Sequence, residues 1–341
     1  MAIMKLFNNN PYFKYILGTI IFMIIVFIDL QIGLFASRTV NLLIRVVYFS
    51  IVAIGFNILL GYAGQISLGH AAFMGFGAYL TAFISNNFGL GFLPTIILSG
   101  LIPMIFGIVL GLVALRLERL YLAIATLGIG VTIEFVFREW VWFTNGFSGA
   151  RLSRPEIFGF AFNNSRHFLL LATFILFLVV LFTYNLIRSK TGRALSAMRD
   201  SNHAAQAMGI SLLKYKLIAF ALSAFYVGLA GSLYAYAERY VHPSTWGAEL
   251  SLDMLAMVVI GGLASIGGSI TGAGFLVLVP RLVQDLPVIG GITNINFILT
   301  GLAMILVIRF MPIGIYNWFD YKVIQPFYYK MLNFDDPGGD D

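Results

Sequence analysis

Glu134 and Arg138 stand four residues apart inside a long apolar run. That spacing sets a carboxylate and a guanidinium on one helical face. Ionisable groups in such a run are costly in hydrocarbon and face a pathway, a partner or one another. The pair therefore reads either as self-satisfied or as a contact for a polar solute. His70 lies in GYAGQISLGHAAFMGFGAY (61–79), where glycines, Gln65 and Ser67 occupy places that a membrane helix fills with apolar residues. A lone histidine is ordinarily a satisfied packing residue, but the run as a whole argues for broken or closely packed backbone lining a cavity. Asp29 and Asp253 fall near the ends of apolar runs, where an interfacial role is expected. Gln65, Ser67, His70, Thr126 and Glu134 are the candidate lining of a substrate path.

Other chemistries lack their residues. The four histidines (70, 167, 203, 242) are far apart, and the chain has no cysteine, so thiolate metal sites, disulfides and cysteine nucleophiles are excluded. No H-E-x-x-H and no G-x-S-x-G occurs. No G-x-x-x-x-G-K-[ST] occurs either, so the chain does not hydrolyse nucleotide through a P-loop. A membrane-embedded enzyme using His70 or Glu134 as acid or base would lack a second catalytic group in the same stretch. No catalytic residue, cofactor or metal is expected.

The elements that must position these residues are membrane helices. Of 341 residues, 60% are hydrophobic and only 11% are charged, against roughly 25% charged in soluble domains. The expected fold is an all-α polytopic membrane protein forming one domain over 1–341. Crossing about 30 Å of hydrocarbon takes roughly 20 apolar residues. Candidate spans are 15–35, 40–60, 66–86, 93–115, 120–143, 168–187, 214–237, 250–265, 268–284 and 296–311. The pair around GGLASIGG (261–268) is short enough to be one broken element, so about eight to ten crossings fit. Glycine clusters in and beside the spans, among them Gly268 and Gly272 four residues apart, which suits close helix packing in one bundle.

The net charge of +6 suits basic cytoplasmic loops facing anionic lipid better than nucleic acid. All lysines (Lys5, Lys14, Lys190, Lys214, Lys216, Lys322 and Lys330), with Arg116, Arg119, Arg188, Arg193, Arg199 and Arg309, fall on one side if both termini are cytoplasmic. Arg151, Arg154 and Arg166 in the loop 144–167 run against that count. The first span reads as uncleaved, and the acidic tail about 332–341 as frayed.

One segment between spans is both charged and patterned. TGRALSAMRDSNHAAQAMGISLLKYK (191–216) carries Arg193, Arg199, Lys214 and Lys216 against Asp200. Apolar residues at 194/195, 197/198, 204/205 and 207/208 predict an amphipathic helix stopped at Gly209. An Ala/Met face ending on glycine suits docking into a groove on a soluble partner. The bland alternative is a helix lying on lipid, for which alanine is a poor anchor.

A family resemblance rests on five segments in order: GFNILLGYAGQISLGHAAFMGFGAY (55–79), YLAIATLG (121–128), TNGFSG (144–149), GRALSAMRDSNHAAQAMGISLLKYKLIAFALSAFYVGLAGSLYAY (192–236) and MVVIGGLASIGGSITGA (257–273). Together they resemble the LivM-type permease of branched-chain amino acid ABC importers over about residues 40–312. The resemblance implies a bacterial inner-membrane subunit that pairs with a second, LivH-type permease, two cytoplasmic ABC ATPases and a periplasmic substrate-binding protein. It implies that a cytoplasmic Glu-Ala-Ala-x-x-x-Gly loop docks on the ATPase. His203-Ala204-Ala205-Gln206-Ala207-Met208-Gly209 matches that pattern with a histidine in the glutamate slot. The coupling segment is then about 190–213, with Arg193, Arg199, His203, Ala204, Ala205 and Gly209 as its contact residues.

The function expected is import of branched-chain or related amino acids, driven by ATPases that dock on the 192–210 helix. Two alternatives stay open: a urea or short-chain amide importer permease of the same family, and a self-contained channel for a small solute. The channel reading accounts for the glycine-rich spans but leaves 191–216 without a role.

Overall fold

The computed structural model describes residues 13–114, 119–157, 160–162, 164–284 and 295–324. The acidic tail at 332–341 lies outside them, as do Lys5, Arg116 and Lys330 of the orientation argument. The described helices are α1 (Phe13–Ile32), α2 (Ser37–Asn57), α3 (His70–Phe88), α4 (Phe92–Ala114), α5 (Arg119–Glu139), α6 (Ser165–Arg188), α7 (Lys190–Asp200), α8 (Asn202–Ala207), α9 (Leu212–Glu238), α10 (Ala248–Gly261), α11 (Ile266–Gln284) and α12 (Ile295–Phe310). A few helical turns and two-residue strands fill the connections.

The protein is an all-α, multi-pass membrane protein. Among the described residues six helical segments are long and apolar enough to cross a bilayer: Ser37–Tyr62, Phe92–Leu112, Tyr121–Glu139, Ser165–Arg188, Leu212–Glu238 and Gly301–Lys322. Ile16–Ile32 and Ile266–Leu282 are shorter apolar helices. Outward-facing positions carry Ile24 and Phe27 on α1, Ile105 and Val109 on α4, Phe182 on α6 and Ile305 on α12. Contiguous apolar surface on this scale is untenable in water and ordinary in lipid.

The bundle is built around α9, which packs along α2, α3 and α4. Backbones meet there because side chains are missing at the crossings. A Cβ on Gly77 would sit 2.2 Å from the carbonyl oxygen of Gly228, and one on Gly228 would sit 2.4 Å from that of Ser99. Such contact supplies the dispersion and polar pairing that drive association where lipid is as apolar as the side chains. Polar cross-links follow, with Thr81 against Ser99 at 2.8 Å and Thr183 against Tyr226 at 2.9 Å. The α1 end is closed by Asp29, which lies near the end of its helix as the sequence suggested but is buried rather than open to the interface. It accepts from the Phe35 amide at 2.7 Å and faces the Arg166 guanidinium at 3.4 Å.

Two expected spans are shorter in the structure. Helix in the 66–86 span begins only at His70, because α2 ends in a π-helical turn (Ile58–Tyr62) and residues 63–69 run without helix. The 250–265 span stops at Gly261, since Gly262 (φ +131) and Ala264 (φ +54) turn the chain back. The 14 residues of α10 rise only about 21 Å, short of a full crossing. The two helices flanking GGLASIGG therefore form a tight hairpin against α2. A Cβ on Gly272 would lie 1.8 Å from the carbonyl oxygen of Met257, so that glycine is what lets the arms close.

A third difference concerns 192–210, predicted as one amphipathic helix. It is two. Ser201 has extended backbone (φ −156, ψ 115), and its side chain accepts from the Ala204 amide to cap α8. Serine competes with the helix for its own backbone bonds, which three-four periodicity does not register.

At the opposite end of α9, strand β1 (Ala150–Arg151) pairs antiparallel with β4 (Tyr240–Val241), Ala150 opposite Val241. Strands β2 (Glu156–Ile157) and β3 (Phe160–Ala161) form a second short pair in the same loop.

Candidate functional site

The broken segment 63–69 is where the predicted polar residues gather. A chain leaving a helix inside a bundle must find new partners for its backbone groups. The Thr126 hydroxyl on α5 accepts from the Leu68 amide at 2.9 Å, and the Ser251 hydroxyl on α10 accepts from the Ala71 amide at 3.1 Å. His70 starts α3 fully buried. Its Nδ1 lies 2.8 Å from the Ser67 hydroxyl and its Nε2 lies 2.9 Å from the Ser223 hydroxyl on α9. Phe56, Phe73 and Phe220 surround the ring. With both nitrogens engaged in a dry cage, His70 is a cross-link between the broken segment and the central helix, and solvent does not reach it.

Gln65 differs. It is 5% exposed, and neither its amide oxygen nor its amide nitrogen has a hydrogen-bond partner. A buried primary amide left unpaired is costly in a static bundle. It is the one predicted path residue whose polar group is uncommitted.

Glu134 stands apart. It lies eight residues beyond Thr126 on α5, about 12 Å along the axis, and pairs with Arg138 as their spacing predicts. Arg138 also lies over the Phe135 ring at 5.5 Å. The pair lines a cavity of about 580 Å³ with Ser244, Thr245, Gly247, Ala248, Glu249, Leu250 and Asp253. The structure thus brings Ser67, His70 and Thr126 to one seam and puts Glu134 at the far end of the bundle. A smaller cavity at that end, about 150 Å³, is lined by Arg45, Arg154, Glu238 and Arg239 among others. Partial burial and the neighbouring Arg239 hold the Arg154 guanidinium below its usual range.

Sequence reading missed Asn57. Its side chain donates to the carbonyl oxygens of Ser265 (3.0 Å) and Gly262 (3.4 Å) and to the Ser269 hydroxyl (2.8 Å), and accepts from the Ala264 amide (3.0 Å). It laces the tip of the α10–α11 hairpin to the end of α2. The available signal was a single carboxamide at the end of an apolar span, four residues before the Gly61–Gly64 break.

The α7–α8 element sits beside that break. Ser189 caps α7, accepting from the Thr191 and Gly192 amides, and Ala194, Leu195 and Met198 turn inward. Arg199 donates to the Gly61 carbonyl oxygen at 3.1 Å and pairs with Asp200 at 3.1 Å. Gly64 packs on the stem of Arg199, whose Cγ would be 3.1 Å from a Cβ there. Arg193 reaches back to the Arg188 carbonyl oxygen at 3.0 Å. Within α8 the alanines divide, Ala205 buried at 3% and Ala204 exposed. His203 and Gln206 are exposed too, and Met208 is 83% exposed. Gly209 ends the element at φ +79, a conformation a Cβ would strain. Of the predicted contact residues, His203, Ala204 and Gly209 face outward, Arg199 and Ala205 face the chain's own bundle, and Met208 joins the outward set.

Fold and site together define a multi-pass membrane protein whose central break is wired to a short exposed helix at one end. Residues 38–308 match the family described as branched-chain amino acid transport system, permease component. The chain belongs to that family. It is 30% identical over 301 residues, 81% of this chain and 69% of the relative, to the high-affinity branched-chain amino acid transport system permease protein LivM of Salmonella typhimurium. Two proteins of Methanocaldococcus jannaschii are also similar. One is a probable branched-chain amino acid transport permease protein LivM, 26% identical over 70% of this chain and 73% of the relative. The other is a probable branched-chain amino acid transport permease protein LivH, 32% identical over 36% of each chain. No solved structure matches. Among the described residues no group of three or more His, Asp or Glu side chains could hold a metal ion.

Proposed function

We propose that this chain is the permease subunit of an ATP-driven importer that carries branched-chain or related amino acids across a bacterial inner membrane. The observation that carries the reading is the α7–α8 element, a short helix held by its buried face and presenting His203, Ala204 and an 83% exposed Met208 outward. A bundle that only conducts a solute needs no such projection, whereas one moved by a soluble motor does. The motor is a pair of ABC ATPases on the cytoplasmic side, where lysine segregation puts the element. The chain itself does no chemistry.

Similarity to both a LivM and a LivH protein of one organism supports a second, homologous permease as partner, and a periplasmic binding protein completes the assembly. Nucleotide-driven motion of α8 reaches the bundle through Arg199, whose bond to Gly61 and packing on Gly64 tie it to the break at 63–69. Gln65, unpaired in this conformation, gains its partner in the other one, and the path opens there.

The test is co-purification of the ATPases with variants of α8. Met208→Glu with Ala204→Glu is expected to release them while leaving the permease folded. Retention of the ATPases by that variant contradicts the docking assignment.

A further inference from the structure

The smaller cavity, where α9 meets the loop 144–167, holds more positive charge than the fold pairs. It is about 150 Å³ and carries Arg45, Arg154 and Arg239 against one carboxylate, Glu238, so two positive charges are in excess. Glu238 is already committed, accepting from Arg45 at 3.0 Å and from the Tyr48 hydroxyl at 3.3 Å. Among the described residues neither Arg154 nor Arg239 is in an ion pair. The Arg154 Nη1 is buried without a hydrogen-bond partner. Neighbouring guanidiniums repel, and a buried charged donor left unpaired is costly. The arrangement is unfavourable until an anion joins it.

The backbone fixes the two arginines together. Arg239 ends α9 at φ +58, a conformation uncommon outside glycine. Its carbonyl oxygen accepts from the Leu152 amide at 3.1 Å. That bond extends the β1–β4 ladder and holds Arg154, two residues on, beside Arg239.

Depth points to the kind of anion. Three membrane-crossing helices end at the cavity: Ile44 and Arg45 lie near the start of α2, Phe168 in the first turn of α6, and Tyr236 and Glu238 in the last turn of α9. Span ends lie at the level of the lipid headgroups. Ile44, Phe168 and Tyr236, each 4% exposed, close the inner side, so the recess ends against the bundle rather than leading through it.

We infer that this recess binds the phosphodiester of an anionic lipid. Arg154 and Arg239 take the phosphate oxygens, for which the guanidinium fork is well shaped, and the glycerol rests on Ile44 and Phe168. Basic pockets between membrane helices suit anionic headgroups. A carboxylate on a soluble protein would have to leave water to reach this depth, whereas lipid phosphate is already there. The inference is independent of the transport reading.

The test is native mass spectrometry of the detergent-purified full chain titrated with dioleoylphosphatidylglycerol. The wild type is expected to retain one lipid at least about tenfold more tightly than dioleoylphosphatidylcholine, whose choline brings a cation to the arginines; that is the scale of one charged hydrogen bond. Arg154→Gln with Arg239→Gln is expected to abolish the preference. Arg151→Gln, exposed in the same loop but outside the cavity, is expected to keep it. Equal melting midpoints without added lipid show that the variants are folded, and absence of the preference in the wild type overturns the site whatever the variants do. An equal loss in Arg151→Gln overturns it in favour of diffuse surface charge. Displacement of the lipid by millimolar inorganic phosphate overturns the lipid source and leaves a free-anion site. A preference kept by the double variant overturns the assignment, and lost capture of the soluble binding protein by that variant would then give the arginines to carboxylates of that partner.

Discussion

His70 and Asn57 show how single polar side chains hold a bundle whose helices gain nothing by hiding from lipid. Replacing His70 with alanine leaves the Ser67 and Ser223 hydroxyls facing a void. The expected loss is about 2–4 kcal/mol from the unmade bonds and the cavity together. A thermal melt of the detergent-purified chain reads it, and an unchanged midpoint would show that the cage is not stabilising. Asn57→Ala removes contacts to four groups of the hairpin tip and is expected to cost about as much. The same melt checks it, with faster proteolysis near 262–265 as a second readout. At this scale the sequence was partly legible. Gln65, Ser67, His70 and Thr126 stood out because polar groups in an apolar run are rare. That three of them meet, and that Glu134 does not, depends on where α5 crosses the break, which no local pattern records. Asn57 escaped notice because its partners lie more than 200 residues away.

The α7–α8 element teaches the same lesson at the next scale. Its periodicity, its glycine stop and its basic flanks were readable, and Gly209 adopts the positive φ its position demanded. Which alanine faces the bundle was not, because the break at Ser201 resets the helical phase by hydrogen bonding that apolar spacing does not encode. The consequence is a pair of opposite outcomes. Ala205→Glu puts a charge against the bundle and is expected to destabilise the chain by several kcal/mol, about the cost of an unpaired buried charge. Ala204→Glu, exposed, is expected to spare stability and impair coupling to ATP. Matched melts and ATPase assays separate them, and equal behaviour of the two variants would show that α8 has been oriented wrongly. The short α10–α11 pair was foreseen as a broken element. The stop at Gly261 was not, since glycine inside an apolar run marks close packing as readily as a turn.

For the molecule as a whole, orientation and drive remain the two consequences to measure. The chain has no native cysteine, so single reporters are available without background. Met208→Cys is expected to react with an impermeant maleimide only after the membrane is opened. Phe147→Cys, exposed in the loop 144–167, is expected to react in intact spheroplasts, and the reverse pattern would invert the topology. The membrane class was legible from composition alone, because 11% charge cannot clothe a soluble domain of this size. The central arrangement was not, since α9 owes its place to glycine-to-carbonyl contacts between distant segments. The most direct test of the account is leucine uptake into proteoliposomes holding this chain with the proposed second permease, ATPases and binding protein. The account predicts uptake that requires ATP and every partner, and that stops with Ala204→Glu and Met208→Glu combined. Uptake by this chain alone, without ATP, would contradict it and make the protein a channel.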